Sequence, residues 1–76
     1  MKVVISNHAI YRINEREISS HDVRKIAKNG NIIKENNDGS LIKRGKSFNG
    51  RNLTVIVKCY NTDVVVITTY YENWFW

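Results

Sequence analysis

Three side chains that can carry a proton or a positive charge recur at four-residue intervals near the start of the chain: His8, Arg12 and Arg16, the helical stripe. Imidazole titrates near neutral pH, and guanidinium is a permanently charged donor whose fork matches phosphate oxygens. Metal-free cleavage of RNA can use these groups, because the substrate's own 2′-hydroxyl is the nucleophile and a 2′,3′-cyclic phosphate is the product. Thr68 and Tyr70, at the end of the last predicted strand, could position the phosphate or transfer a proton.

Each of these residues also has a purely structural interpretation. A histidine in the first turn of a helix commonly packs or forms hydrogen bonds, and tyrosines near strand ends usually pack. The two arginines can instead pair with nearby carboxylates, which are Glu15, Glu17 and Glu72. His21, beside a helix cap, is expected to be exposed and inert, and Cys59, in an apolar alternation, is expected in the core. The residues alone therefore predict a small nucleic-acid-binding domain.

Neither a metal site nor a cofactor site is predicted. The seven acidic residues are scattered, whereas a metal-dependent nuclease needs carboxylates that converge on one cation. His8, His21 and Cys59 have a spacing that matches no standard ligand pattern. No phosphate-binding glycine loop and no serine-histidine-acid order is present.

Length and composition predict one domain over residues 1–76 with a thin core, because short chains bury a small share of their surface. The single cysteine excludes an internal disulfide. The opening "MKVVIS" has a shorter apolar run than a signal peptide, and no segment approaches the ~20 apolar residues that span a bilayer. We expect a cytoplasmic protein that does not bind membranes.

The positive charge is concentrated in the middle of the chain. Formal net charge is +5, and residues 24–58 hold nine lysines and arginines against two acidic residues. A polyanion such as RNA is the natural partner for such a segment, with an affinity that falls as salt is added. The predicted RNA-binding residues are Lys43, Arg44, Lys46, Arg51 and Lys58. A solubilising surface is the alternative.

Two short helices are predicted to open the chain. The first covers residues 7–17 and can be capped by Ser6 or Asn7. Its apolar side consists of Ala9, Ile10 and Ile13. At about 100° per residue the helical stripe borders this apolar side and does not lie opposite it. The second helix lies within residues 18–30, with Ser19 and Asp22 as a capping-box-like start. Its apolar side is Val23, Ile26 and Ala27, and it stops at Asn29-Gly30.

From residue 31 the apolar periodicity becomes that of strands. Four segments, at residues 31–36, 40–48, 51–60 and 63–72, are separated by the hairpin signals "NDG", "NG" and "NT". The third segment alternates between one set, Leu53, Val55, Val57 and Cys59, and a second set, Thr54, Ile56 and Tyr60, which indicates a central position. Gly45 indicates a bulge or a close approach of another backbone. The predicted fold is α+β, with two N-terminal helices packed on one face of a roughly four-stranded antiparallel meander sheet.

The segments "HAIYRINEREIS" and "DVRKIAKNGNIIKE", the basic hairpins and the closing "VVVITTYYE" resemble a family of small bacterial and phage-associated domains of uncharacterised function. That family is similar to the superfamily that joins barnase, RelE-type toxins, BrnT-type toxins and colicin-type tRNases, most of which are metal-independent ribonucleases. The resemblance covers about residues 6–71. It departs from the family pattern at Glu17, where a glycine or small residue is expected after Arg16, and the doubled Thr-Thr-Tyr-Tyr leaves the strand register open.

The resemblance implies a toxin-like, metal-independent endoribonuclease. His8 would transfer the proton, Arg12 and Arg16 would bind the phosphate, and Thr68 or Thr69 with Tyr70 would match the strand motif. An antitoxin or immunity protein is then the expected partner. Two alternatives remain: a non-catalytic RNA- or DNA-binding regulator, and an interaction module that acts through its aromatic tail. Trp74, Phe75 and Trp76 form that tail, which could cover the core or join two copies in a homodimer.

Overall fold

The structure, a computed structural model, describes residues 2–72, and these form two helices and five strands. In chain order they are β1 Lys2–Ile5, α1 Asn7–Glu15, α2 Ser20–Asn29, β2 Asn31–Glu35, β3 Leu41–Lys46, β4 Asn52–Tyr60 and β5 Asp63–Tyr71. The α+β class is as predicted. The roles considered for Trp74, Phe75 and Trp76 lie outside the described residues.

The sheet has the strand order β1-β5-β4-β3-β2. Strands β2 to β5 form the predicted antiparallel meander, and β1 pairs in parallel with β5 from Lys2 opposite Asp63 to Ile5 opposite Val66. The prediction of four antiparallel strands was wrong on this point: the sheet is mixed and includes a fifth strand. Its four residues, "KVVI", are too few to show a period, and their partner lies at the other end of the chain.

Serine side chains cap both helices as predicted. Ser6 accepts the N–H of Ala9 at 3.1 Å, and Ser19 accepts the N–H of Asp22 at 3.3 Å. The end of α1 comes at Glu15, two residues before the predicted end. Glu17 adopts a left-handed conformation with φ 55°, and the N–H of the following residue, Ile18, donates to a carbonyl of the helix, which stops it.

The core lies between the sheet and the two helices. α1 packs mainly on β5, while α2 lies over β4 and β3. The fully buried β4 residues Leu53, Val55 and Val57 face these helices, as the alternation predicted. Gly45 lets α2 approach, since a Cβ there would come within 2.8 Å of Ile26 Cγ1. The glycine predicted a bulge or a close approach of another backbone, but the strand register is regular at Gly45 and the close neighbour is the side chain of Ile26.

Two predicted core residues are exposed. Ile10 lies on α1 between the buried Ala9 and Ile13 but is 45% exposed, because the face of α1 that contacts the sheet is narrow and buries only Ala9 and Ile13. Cys59 continues the apolar alternation of β4, yet it lies near the end of the strand and is exposed. His21 is exposed, as predicted. No helix of the described residues has the length and apolar character needed to cross a membrane.

Candidate functional site

The second half of β5 has an open edge. β1 ends at Ile5, opposite Val66, so among the described strands none pairs with residues 68–71 on that side. A bulge precedes this segment: Ile56 of β4 is opposite Thr68 while the next β4 residue is opposite Val66, which leaves one extra residue on β5. The bulge changes the orientation of the last four residues of the strand relative to the first four.

Main-chain polar groups point into this open edge. The N–H of Glu72 donates to the carbonyl of Asn52 at 2.9 Å, and residues of an antiparallel pair alternately face their partner strand and face away from it. Counting back from Glu72, the N–H and C=O groups of Thr69 and Tyr71 face away from β4. Thr69 is fully buried and Tyr71 is partly exposed, so the open edge presents the N–H of Tyr71 as an accessible donor.

The start of α1 is fastened to β5 just before this edge. The N–H of Ser6 donates to the carbonyl of Val66 at 3.1 Å, and the Ser6 hydroxyl donates to the carbonyl of Ile67, also at 3.1 Å. The helix consequently runs beside the open edge, with Arg12 and Arg16 one turn apart. Between helix and strand lies a depression of about 400 Å³, the edge cavity, which is lined by Arg12, Arg16, Thr68, Thr69, Tyr70 and Tyr71.

One carboxylate interacts with both arginines of the edge cavity. Arg12 Nη1 lies 2.8 Å from Glu15 Oε1, and Arg16 Nε lies 3.7 Å from the same oxygen. The Arg12 guanidinium also lies 5.9 Å from the centre of the Tyr11 ring. All three charged side chains are substantially exposed, so the attraction is weakened by water and salt. The two guanidinium groups carry two positive charges and the Glu15 carboxylate carries one negative charge, so the net charge of this group is positive.

His8, the predicted proton-transfer residue, does not line the edge cavity. It lies exposed in the first turn of α1, one turn before Arg12. The four-residue spacing placed the helical stripe on one side of the helix, but the cavity lies beside only the second half of α1. The structure thus brings Arg12, Arg16, Thr68 and Tyr70 together and leaves His8 beyond the cavity's end.

The hydroxyls of the strand residues differ in availability. Thr69 is buried, and its hydroxyl donates to the carbonyl of Thr54 at 2.8 Å. The Tyr71 hydroxyl accepts a hydrogen bond from Asn49 Nδ2 at 3.2 Å, and the Arg51 guanidinium lies 4.2 Å from the Tyr71 ring centre. Tyr70 is exposed and Thr68 is half-buried. The contacts of Asn49 and Arg51 link the β3–β4 hairpin to the cavity, a link that the sequence pattern did not predict.

The five predicted RNA-binding residues are spread over different surfaces. Strand alternation places Lys43 on the helix side of β3, where its Nζ donates to the carbonyl of Ala27 at 2.8 Å, and Arg44 on the opposite side. Arg44 pairs with Glu72 at 3.1 Å. The remaining three are Lys46 near the β3–β4 hairpin, Arg51 over Tyr71, and Lys58 beside the Tyr60 ring.

The exposed side of α2 carries further cations that the sequence reasoning did not assign. A depression of about 250 Å³ on this helix is lined by His21, Arg24, Lys25 and Lys28. Arg24 is partly committed, because its Nη1 donates to the carbonyl of Val3 at 3.0 Å and so holds β1 against the helix. Within residues 2–72, no group of three or more His, Cys, Asp and Glu side chains converges as a metal site would require.

The fold and the edge cavity define a small α+β domain with a positively charged depression between its first helix and its last strand. The chain belongs to DUF4258, a family of domains of unknown function, whose model matches residues 5–71. The matched region contains both α1 and β5, and hence the whole edge cavity. Comparisons with curated proteins and with solved structures gave no match.

Proposed function

We propose that this domain is a toxin-like, metal-independent endoribonuclease, and that the edge cavity binds the phosphodiester to be cleaved. The observation that carries the proposal is the convergence of Arg12 and Arg16 with the open edge of β5 around one depression. Guanidinium groups and main-chain N–H groups are the donors that proteins use for phosphate oxygens. The resemblance to the barnase and RelE superfamily supports the same activity.

In this reaction the 2′-oxygen attacks the adjacent phosphorus, the P–O5′ bond breaks, and a 2′,3′-cyclic phosphate forms. Negative charge accumulates on the non-bridging oxygens, where Arg12, Arg16 and the N–H group of Tyr71 can stabilise it. A base takes the proton of the 2′-hydroxyl and an acid supplies one to the leaving O5′.

For proton transfer we propose His8, with Tyr70 and Thr68 as the hydroxyls beside the phosphate. Residues four apart on a helix have Cβ atoms roughly 6 Å apart. We propose that the nucleotide extends from the phosphate at Arg12 along α1, so that its 2′-hydroxyl comes within reach of the His8 imidazole. Imidazole in such a role typically contributes ~10²–10⁴-fold to the rate.

The second candidate function is a non-catalytic RNA-binding regulator. Two observations favour it: His8 lies outside the edge cavity, and Glu15 partly neutralises the two arginines. Such a protein would use the cavity as a phosphate contact without proton transfer. It would bind RNA and a 2′-deoxy analogue alike and cleave neither.

Cleavage assays in EDTA separate the two candidates. The substrate is a labelled RNA, and its partner is the same RNA with a 2′-deoxy substitution at the cut site. The proposal expects cleavage of the first, protection of the second, and a cyclic phosphate end. Binding of both without cleavage would support the regulator and refute the nuclease.

Arg16→Ala and His8→Ala are each expected to reduce cleavage by ~10² or more with little change in thermal stability, because both side chains are exposed. Lys34→Ala is the matched control, since it removes one exposed cation from β2 at the opposite edge of the sheet. Equal losses of activity and stability would show that the residues act in packing. Equal activity in all three variants would show that the edge cavity is not the site of cleavage.

The proposal also implies where and with what the protein acts. RNA cleavage of this kind would occur in the cytoplasm and would be held in check by an antitoxin or immunity protein. A small acidic protein encoded by the neighbouring gene is the expected form of that partner. Growth arrest on expression, relieved by His8→Ala, is the corresponding test in cells.

A further inference from the structure

Phe48, in the hairpin between β3 and β4, exposes 75% of its surface, more than any other large apolar side chain of the described residues. The hairpin carries Lys46 before it and Arg51 after it, both exposed. An exposed aromatic ring costs free energy in water. A contact that covers the ring would recover this free energy.

The main chain of Phe48 is held in place by a buried carboxylate. Asp22 on α2 is 8% exposed, and its Oδ2 accepts the hydroxyl of Ser47 and the N–H of Phe48, each at 2.9 Å. The turn is closed by the N–H of Gly50, which donates to the carbonyl of Ser47 at 2.9 Å, and Gly50 has the left-handed φ of 82° that favours glycine. A buried carboxylate is costly unless it is hydrogen-bonded. Here its hydrogen bonds fix the position from which the ring projects.

The same hairpin is tied to the edge cavity. Asn49 bridges the two, since its Nδ2 donates to the Tyr71 hydroxyl at 3.2 Å while its Oδ1 accepts the N–H of Arg51 at 3.0 Å. The Arg51 guanidinium then stacks on the Tyr71 ring at 4.2 Å. Tyr71 lines the cavity. Phe48 therefore directly precedes Asn49, the residue that links the hairpin to the edge cavity.

We infer that Phe48 stacks on a nucleobase of the RNA strand whose phosphate lies between Arg12 and Arg16. This inference rests on the proposed function and adds a base contact to its phosphate contact. Aromatic faces accept any base, and flanking cations attract the backbone on either side. The residues that follow Phe48 in the chain, Asn49 and Gly50, carry no apolar side chain that could extend the ring into an apolar patch, whereas a flat base needs only the ring face.

The test measures binding of a short fluorescein-labelled 2′-O-methyl RNA, which cannot be cleaved, by fluorescence anisotropy. Phe48→Ala is expected to raise the Kd about 10-fold, in the range of single-base stacking contacts. Phe48→Tyr should stay within about 2-fold of the parent, and Phe48→Leu, apolar but without a π face, should behave like Phe48→Ala. Tyr60→Ala is the matched control, because it removes an exposed ring from the opposite end of β4.

A second ligand identifies the contact as stacking. In an otherwise identical oligonucleotide that lacks its bases, Phe48→Ala and the parent should bind equally. Equal affinities of Phe48→Ala and the parent for the intact RNA would overturn the inference, as would an unchanged affinity of Phe48→Leu or an equal loss with the baseless ligand.

Failure of the inference and failure of the proposed function give different results. A parent protein that cleaves RNA while Phe48→Ala binds normally refutes the stacking contact alone. Loss of base-dependent binding in Phe48→Ala, with no cleavage by the parent, supports the contact and refutes the nuclease. A parent protein that binds no RNA refutes both.

Discussion

Replacing Glu15 by Gln should tighten RNA binding. The Glu15 carboxylate lies 2.8 Å from Arg12 and 3.7 Å from Arg16, so it competes with any phosphate for both guanidiniums. Glutamine keeps the size and helix propensity of the side chain and removes its charge. The variant therefore tests whether the edge cavity is an anion site, without changing the arginines themselves.

The expected gain follows from two small terms. An exposed ion pair such as Arg12–Glu15 is worth ~0.2–1 kcal/mol, which a phosphate no longer has to displace in the variant. A phosphate bound to Arg12 lies near the carboxylate, and repulsion between unit charges about 4 Å apart is ~1 kcal/mol in water. Together these give roughly 1.2–2 kcal/mol, or about 8- to 30-fold in Kd.

Anisotropy titrations with the 2′-O-methyl RNA provide the measurement, at low and at high salt. The gain should be about 10-fold at low ionic strength and should nearly vanish at ~1 M salt, where the screening length is about 3 Å. Glu35→Gln on β2 is the control, with the same charge change at the far edge of the sheet. An unchanged or weaker affinity of Glu15→Gln relative to this control would refute phosphate binding between Arg12 and Arg16.

Three further predictions concern the fold. Asp22→Ala removes the acceptor of two hydrogen bonds and leaves the buried Ser47 hydroxyl without that partner. Urea denaturation should therefore show a loss of about 2–4 kcal/mol in unfolding free energy. A loss below ~0.5 kcal/mol would contradict this. Glu17→Gly should raise that free energy by about 1 kcal/mol, because φ is 55° there, whereas a decrease would show that no strain is relieved. Hydrogen bonds from the hydroxyl and N–H of Ser40 lower the pKa of Asp38. The stabilising contribution of Asp38 is therefore complete above the ordinary carboxyl pKa and is lost as pH falls through the lowered value. Carboxyl NMR titrations should show this pKa rising in Ser40→Ala.

Local signals in the sequence predicted most of the fold. The helix caps at Ser6 and Ser19 each depend on a few neighbouring residues, and both are present. β1 could not be predicted in this way, because its stability comes from pairing with a strand some sixty residues later. Cys59 was misplaced because alternation reports the face of a strand but not how far along that strand the helices extend.

Half of the candidate site was accessible from the sequence. The four-residue spacing showed that Arg12 and Arg16 share a side of α1, and the polar end of β5 marked the opposite wall. Spacing along a helix does not show which of its turns faces the neighbouring strand, so the position of His8 could not be predicted. Charge counting likewise identified a basic segment but could not separate Lys43 from Arg44, which alternate across the sheet.

The distance in sequence between α1 and β5 has a consequence for synthesis of the protein. The two walls of the edge cavity come from segments far apart in sequence, since α2, β2, β3 and β4 lie between α1 and β5. A nascent polypeptide that has left the ribosome only as far as β4 has no cavity at all. If the domain cleaves RNA, the translating ribosome is spared its activity until the last strand has emerged.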